Sequence, residues 1–290
     1  MLLYVLYRLG EFIALCVPVK ASYALAVLIS DIKLIFSPSE LREMVENLRL
    51  IQPGVDEKTL RRCARQICAN FSKYLVDFFR FRKVDLSYLE KRVEITGRHF
   101  IDEALKRGKG AILLSAHLGS WELGGAILGV LGYPISVIAL DHKNRHVNNF
   151  FISQRKSRNE NIISTKFAIR KCLAALANNN LIAIVGDKNF SNTGTVVKFF
   201  GKDTLLPKGP AFFSLKTQTV IIPAFSVRVE GDNFNLILGK PIEFRPEGDL
   251  EKDINRLTQL CAWEIERCIK QYPAQWYCFR RFWLDQDGFK

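Results

Sequence analysis

The sequence predicts an α/β protein, a largely parallel central sheet flanked by helices, preceded by a helical N-terminal layer. Three observations carry that prediction. From about residue 91 onward, short β-rich runs alternate with helical ones, the pattern of strands joined by crossover helices. Runs such as GAILLSA and LIAIVGD are continuously apolar, as strands covered on both faces are. Before residue 90 the apolar residues recur at helical spacing and no β-rich run occurs. The expected organisation is a helical region over 1–90 and an α/β core over 91–290, together one structural unit.

The first 36 residues are strongly apolar, but Arg8, Glu11, Lys20, Asp31 and Lys33 break them up. No stretch reaches the roughly 18 uncharged apolar residues of a membrane span, and the order of regions in a signal peptide is missing. Two helices separated near Pro18 are expected, each with one apolar face. They read as core helices or as an interfacial anchor; so apolar a segment at the end of the chain favours the anchor. Helical pattern continues from Ser39 to about Lys83. Ser39 is the expected cap of one helix, which stops at Pro53-Gly54, and Asp56 the cap of the next. That second helix sets Leu60, Ile67, Phe71, Tyr74, Leu75, Phe78 and Phe79 against a face of Arg61, Arg62, Arg65 and Lys73. The basic face suits water or anionic headgroups.

Then come the strand RVEITG, the helix HFIDEALKRG, the strand GAILLSA and a helix after His117. ISVIAL, a polar helix from about Lys143 to Arg158, NIIS and the helix AIRKCLAALANN follow. After LIAIVGD and GTVVKFFG, a helix is expected from about Pro210 to Thr217. VIIPAFSVRVEG and NFNLILGKPIEF form a hairpin through Gly231-Asp232-Asn233, and LEKDINRLTQLCAWEIERCIKQYP is a closing helix.

Lys and Arg outnumber Asp and Glu by 42 to 29, a formal charge of +13. Such a surplus attracts nucleic acid, an anionic lipid surface or an acidic carrier protein. Nucleic acid is disfavoured, because the aromatic-plus-basic RNA-binding strands are missing and the N-terminus is so apolar. The chain has no G-x-x-x-x-G-K-[ST] loop, no G-x-S-x-G elbow and no G-x-G-x-x-G after a strand, so nucleotide and acyl-serine chemistry lack their usual parts. The seven cysteines, at 16, 63, 68, 172, 261, 268 and 278, form no C-x-x-C and read as small buried hydrophobes in a reducing compartment. His142 and His146 are spaced to share a helix face, as zinc ligands do, but no third ligand is evident, so no metal site is assigned. His99 is read as a helix-start residue.

The chemistry concentrates in SAHLGSWE. His117 follows the end of a predicted strand, and open α/β sheets bind ligands beyond the carboxyl ends of their strands. Ser120 is a plausible helix cap, with Trp121 and Glu122 in the first turn. A loop histidine could fold back onto Glu122, which would fix its tautomer and balance its charge. Free amides near Gly119 and Ser120 would suit a developing negative charge. Spacing alone serves equally a hydrogen-bonded loop histidine beside a glutamate that complements the helix dipole. Asp187 ends the strand LIAIVGD at the same sheet edge, as a supporting carboxylate or a turn residue.

HLGSWE after a small apolar strand resembles the His-x4-Asp/Glu motif of glycerolipid acyltransferases, and is most similar to the glutamate form in the bacterial lipid A biosynthesis (lauroyl/myristoyl) acyltransferase family. The resemblance covers nearly the whole chain. It includes the apolar N-terminus and NLRLIQPGVDEKTLRRCARQICANFSKYLVDFFRF; RKSRNENIIS, with Arg155 at the family's arginine; LIAIVGDKNFSNTGTVVKFFGKDT, with Asp187 at its aspartate; and KGPAFFSLKTQTVIIPAF. Lys188 stands where glutamine is common and Asn159 where glycine is, and YPAQWYCFRRFW keeps the Pro-x-Gln-Trp ending but not the His-Arg-Arg-Phe form. These departures bear on the acceptor.

The resemblance implies a membrane-associated O-acyltransferase on the cytoplasmic face of a bacterial inner membrane. It would move a fatty acyl chain from a thioester, on acyl carrier protein or coenzyme A, to a hydroxyl of a lipid A-type glycolipid. His117 would act as general base and Glu122 as its partner. Arg155, Asp187, Gly119 and Ser120 would serve the substrates, Arg155 by meeting phosphate on the acceptor or the donor. No cofactor is implied; the thioester is a co-substrate. A phosphoinositide mannoside or a lysophospholipid is the competing acceptor. The competing class is a peripheral membrane protein that binds lipid without catalysis.

Overall fold

The computed structural model describes residues 1–189 and 194–283. Positions 190–193, part of the family-like stretch after Asp187, and 284–290 lie outside the described residues.

The N-terminal layer consists of α1 (Leu2–Cys16), α2 (Val19–Ile35), α3 (Pro38–Ile51) and α4 (Glu57–Phe79). Pro18 separates the first two, where its fixed φ and missing N–H interrupt a helix. α3 starts one residue before the expected cap Ser39: Ser37 occupies the cap position and Pro38 the first turn, where a proline's missing donor is harmless. Asp56 caps α4 as expected, accepting from the Thr59 amide at 3.0 Å.

α5 (Leu86–Arg92) is a short helix that hydrophobic periodicity did not separate; Asp85 caps it through the Tyr88 amide. It leads directly into β1 (Val93–Thr96). The core continues with α6 (Arg98–Lys106), β2 (Ala111–Ser115), α7 (Trp121–Val130), β3 (Ile135–Ala139), α8 (Arg145–Lys156) and β4 (Asn161–Ser164). α9 (Ala168–Ala177), β5 (Leu181–Val185), β6 (Thr195–Phe199) and β7 (Lys202–Leu206) follow. The described chain closes with α10 (Gly209–Thr217), β8 (Ile221–Arg228), β9 (Phe234–Leu238) and α11 (Leu250–Gln271).

Seven strands form one sheet in the order β1-β9-β8-β2-β5-β3-β4, parallel in every pairing except the β8–β9 hairpin. This is the mostly parallel, helix-flanked sheet that the alternation predicts. β6 and β7 form a separate antiparallel pair, and β7 was not foreseen because its first two residues, Lys202 and Asp203, are polar and exposed. Alternate residues of β2 serve opposite faces. Ile112 and Leu114 join the core beneath α9, α10 and α11, while Ala111 and Leu113 join the core beneath α6, α7 and α8. Each Ile or Leu so buried contributes about 1.5–3 kcal/mol. α4 reaches the second of these cores through Phe78, so the helical layer packs onto the same face that carries α7.

The outer surfaces of α1 and α2 are apolar. Leu2, Leu6, Leu9 and Phe12 on α1, and Leu28, Ile29 and Ile32 on α2, stand in solvent. Among the described residues no helix is long and apolar enough to cross a membrane.

Candidate active site

β2 and β5 lie side by side in register, Ser115 opposite Val185. His117 and Asp187 therefore each stand two residues beyond the carboxyl end of neighbouring strands. The Gly186 amide extends the ladder by donating to the Ser115 carbonyl at 2.9 Å. Asp187 Oδ1 accepts from the His117 backbone amide at 3.0 Å and lies 2.8 Å from the ring Nδ1. Trp276 Nε1 donates to the other oxygen at 2.9 Å. Asp187 is fully buried, while the His117 side chain keeps partial access to solvent. Burial alone would push the Asp187 carboxyl up. The charge and hydrogen bond of His117, the Lys188 ammonium and Trp276 outweigh burial and hold it well below the usual carboxylate range. A buried carboxylate on Nδ1 fixes the ring and leaves Nε2 as the basic nitrogen.

Glu122 stands elsewhere. The expectation that it folds onto His117 is replaced by a bidentate pair with Arg155: Nε to Oε2 at 2.8 Å and Nη2 to Oε1 at 2.6 Å. Both side chains are about nine-tenths buried. The Arg155 guanidinium also lies over the rings of Phe151 and Phe78, at 5.8 and 6.0 Å. Burial would lower its pKa, but Glu122 raises it above the ordinary arginine value. The expectation of an accessible Arg155 meeting substrate phosphate is likewise replaced, because Glu122 already takes its fork.

Gly119 and Ser120 are also redefined. The Gly119 amide donates to the Gln275 carbonyl at 2.9 Å and the Ser120 amide to the Ser226 carbonyl at 2.7 Å, so neither offers a hydrogen to an oxyanion. Gly119 adopts a φ of +62°, and a Cβ there would lie 2.2 Å from the Ser226 carbonyl oxygen. Only glycine fits this turn. Ser120 occupies the cap position of α7, but its side chain caps nothing and its Oγ is buried without a partner.

The C-terminal PAQWYC, to which the sequence reading gave no role, builds one wall of the site. Leu118 bridges Trp276, the Tyr277 amide donates to the His117 carbonyl at 2.9 Å, and Lys188 Nζ reaches the Tyr277 carbonyl at 2.6 Å. The signal was an apolar Trp-Tyr-Cys run directly after a polar helix end. The His117 ring meets Trp121 edge-on at 5.3 Å, and Trp121 stacks on Tyr74 at 4.2 Å. Phe71 and Phe279 extend that aromatic wall.

Glu160 is buried beside this group, with neither carboxyl oxygen hydrogen-bonded. Burial, and then the charge of Glu122, pushes its pKa well above the ordinary glutamate value despite Arg155. The His142 ring lies on Phe151 and the His146 ring on Tyr4. His99 lies against Phe100 in the first turn of α6. Six cysteines are buried and Cys16 is exposed.

Residues 2–285 match the sequence profile of the bacterial lipid A biosynthesis acyltransferases. The chain belongs to this family. Among curated relatives of the acyltransferase, a phosphatidylinositol mannoside acyltransferase of Mycolicibacterium smegmatis is 25% identical over 225 residues, covering 76% of this chain and 72% of the relative. The Mycobacterium tuberculosis (strain H37Rv) protein of the same name is 24% identical over 254 residues, covering 85% and 77%. A lipid A biosynthesis acyltransferase of Haemophilus influenzae is 25% identical over 191 residues, covering 65% and 58%. The relatives of this chain are thus named for two different glycolipid acceptors.

Proposed function

We propose that this acyltransferase moves a fatty acyl group from a thioester, on acyl carrier protein or coenzyme A, to a sugar hydroxyl of a membrane glycolipid. The observation that carries the reading is the His117–Asp187–Trp276 chain at the carboxyl ends of β2 and β5. His117 Nε2 takes the proton of the acceptor hydroxyl as its oxygen attacks the thioester carbonyl. Asp187 fixes the ring and balances the imidazolium; general base catalysis of this kind contributes on the order of 10²–10⁴-fold. The tetrahedral intermediate then expels the thiolate, which recovers the proton from His117. Direct transfer is favoured over an acyl-enzyme, since the nearby thiol of Cys278 is raised in pKa by burial and Ser120 Oγ is buried.

Glu122 and Arg155 are positioning residues in this reading. By neutralising each other they keep a second uncompensated carboxylate away from the developing oxyanion, which would experience the amino end of α7. Trp121, Tyr74 and Phe71 offer a wall for the acyl chain. The exposed apolar faces of α1 and α2 support interfacial seating on the cytoplasmic face of a bacterial inner membrane, with the basic surplus meeting anionic lipid.

A lipid A-type precursor is the acceptor we favour from the family. A phosphatidylinositol mannoside is the second reading, supported by the names of two relatives. Lipid mass spectrometry of cells with and without the protein distinguishes them by which glycolipid loses one acyl chain. In membranes, His117→Ala is expected to reduce transfer by at least 10²-fold; full transfer by that variant would refute the mechanism. Binding to vesicles with no transfer by the wild type would instead favour a lipid-binding protein.

A further inference from the structure

A cavity of about 310 Å³ opens beside the α1–α2 elbow, between α2, α4 and α5. Arg80, Lys83, Lys91 and Arg92 line it, against a single carboxylate, Asp77. Both Asp77 oxygens are already engaged, one by the Tyr23 hydroxyl and the other by the Arg228 guanidinium. Arg80 and Lys83 donate to carbonyls at the last turn of α1, including Val17 at 3.3 Å and Leu15 at 2.7 Å. Those contacts fix the two side chains and leave further donors on each. Arg92 Nη2 donates to the Asp232 carbonyl at 2.6 Å, while its Nε is buried without an acceptor. An unpaired buried donor on a charged group is costly, and a small shift of the Arg92 side chain toward a bound acceptor would relieve it.

We propose that this cavity binds a phosphate ester, and that its occupant is the headgroup of an anionic phospholipid. Cavities of this size hold small ligands, and a guanidinium with neighbouring ammonium groups suits phosphate oxygens. Val19 lines the cavity at the start of α2, directly after the Pro18 elbow. On either side of that elbow the helices expose apolar side chains, including Phe12 and Leu25. An amphiphile with its tails beside those faces could present its phosphate at the elbow. Leu123 lines the cavity as well, so the site backs onto α7 while excluding His117 and Asp187. The choice of a lipid over a soluble ester rests on the proposed interfacial seating; the charge and the orphan donor do not.

The test uses the full chain, as wild type, Lys91→Gln and Arg92→Gln, with Lys216→Gln, exposed at the end of α10, as control. Each is titrated with glycerol 3-phosphate, following the thermal midpoint, and with vesicles of phosphatidylcholine alone or mixed with phosphatidylglycerol. The expected result is saturable stabilisation of the wild type and control by glycerol 3-phosphate, weakened about tenfold or more in both cavity variants, the weight of one charge-assisted hydrogen bond. The extra affinity for phosphatidylglycerol should fall in parallel, with phosphatidylcholine binding unchanged. Equal phosphatidylglycerol gains in all four proteins, with no saturable effect of glycerol 3-phosphate, would overturn the proposal. Saturable glycerol 3-phosphate binding with no phosphatidylglycerol gain would overturn the headgroup and leave a soluble ester as occupant. Failure of interfacial seating would show separately, as lost binding to phosphatidylcholine vesicles. If Arg92→Gln fails to fold, Lys91→Gln, an exposed position, carries the comparison.

Discussion

Glu122→Gln separates two roles for a residue that the motif places beside the proposed general base, His117. In the structure Glu122 holds Arg155 through two hydrogen bonds at 2.6 and 2.8 Å, with both side chains about nine-tenths buried. Two unit charges about 4 Å apart attract by roughly 4 kcal/mol at an effective dielectric constant near 20. Removing one partner leaves a buried charge uncompensated and costs about 3–5 kcal/mol. That is a large share of a typical total of about 5–15 kcal/mol. Glu122→Gln is therefore expected to lose about 3–5 kcal/mol in guanidinium denaturation followed by tryptophan fluorescence. The double variant with Arg155→Met should be more stable than the sum of the singles by about 2–3 kcal/mol, a coupling expected for groups in direct contact. Acyl transfer measured on the folded fraction should fall less for Glu122→Gln than for His117→Ala. If Glu122→Gln stayed within about 0.5 kcal/mol of wild type while its transfer fell as far as that of His117→Ala, Glu122 would be acting on the histidine directly, and the structural assignment would be refuted.

Three further outcomes are expected. Asp187→Asn should reduce transfer by on the order of 10²–10⁴-fold with KM little changed, because the ring loses the carboxylate that balances its charge. The folded-state pKa of Asp187 lies below its unfolded value, so its contribution to stability is present above about pH 4 and lost as the pH falls further. The stability gap between wild type and Asp187→Asn should thus narrow in acid. Glu160 has the opposite sign: a folded pKa raised by burial costs stability as the pH rises above about 4.3. Glu160→Gln should melt higher than wild type at pH 8, with the difference vanishing near pH 4. Of the seven cysteines, Cys16 is exposed, while burial pushes the thiols of Cys63 to about 11 and Cys68, Cys172, Cys261, Cys268 and Cys278 to about 12. A maleimide titration of the native protein should modify one thiol rapidly, and vesicle binding should slow that reaction if α1 enters the interface.

Most elements of this fold, α5 and β7 excepted, were legible in the sequence because each is written locally. Asp56 caps α4 through an amide three residues away, and β2 shows its burial on both faces as an unbroken apolar run. What joins those elements was not legible. His117 and Asp187 are 70 residues apart, and they meet because β2 and β5 are neighbours with Ser115 opposite Val185. Nothing within either strand states that register, so the sequence placed Asp187 at the same sheet edge as a supporting carboxylate but paired the His117 ring with Glu122, the carboxylate nearest in sequence. The same blindness hid Gly119, whose amide and Cα position answer to carbonyls at Gln275 and Ser226. Arg155 likewise was expected to meet substrate phosphate, because nothing local shows that α8 packs against α7 and delivers it to Glu122. The motif's spacing therefore reports two different partnerships. Its histidine ends a strand and takes its carboxylate from the adjacent strand, while its glutamate opens a helix and takes its cation from the next helix. A His-x4-Glu element held in this way needs Asp187 and Arg155 as much as its own two residues; substitution of Asp187 should lower the rate as well as stability, whereas substitution of Arg155 should act mainly on stability.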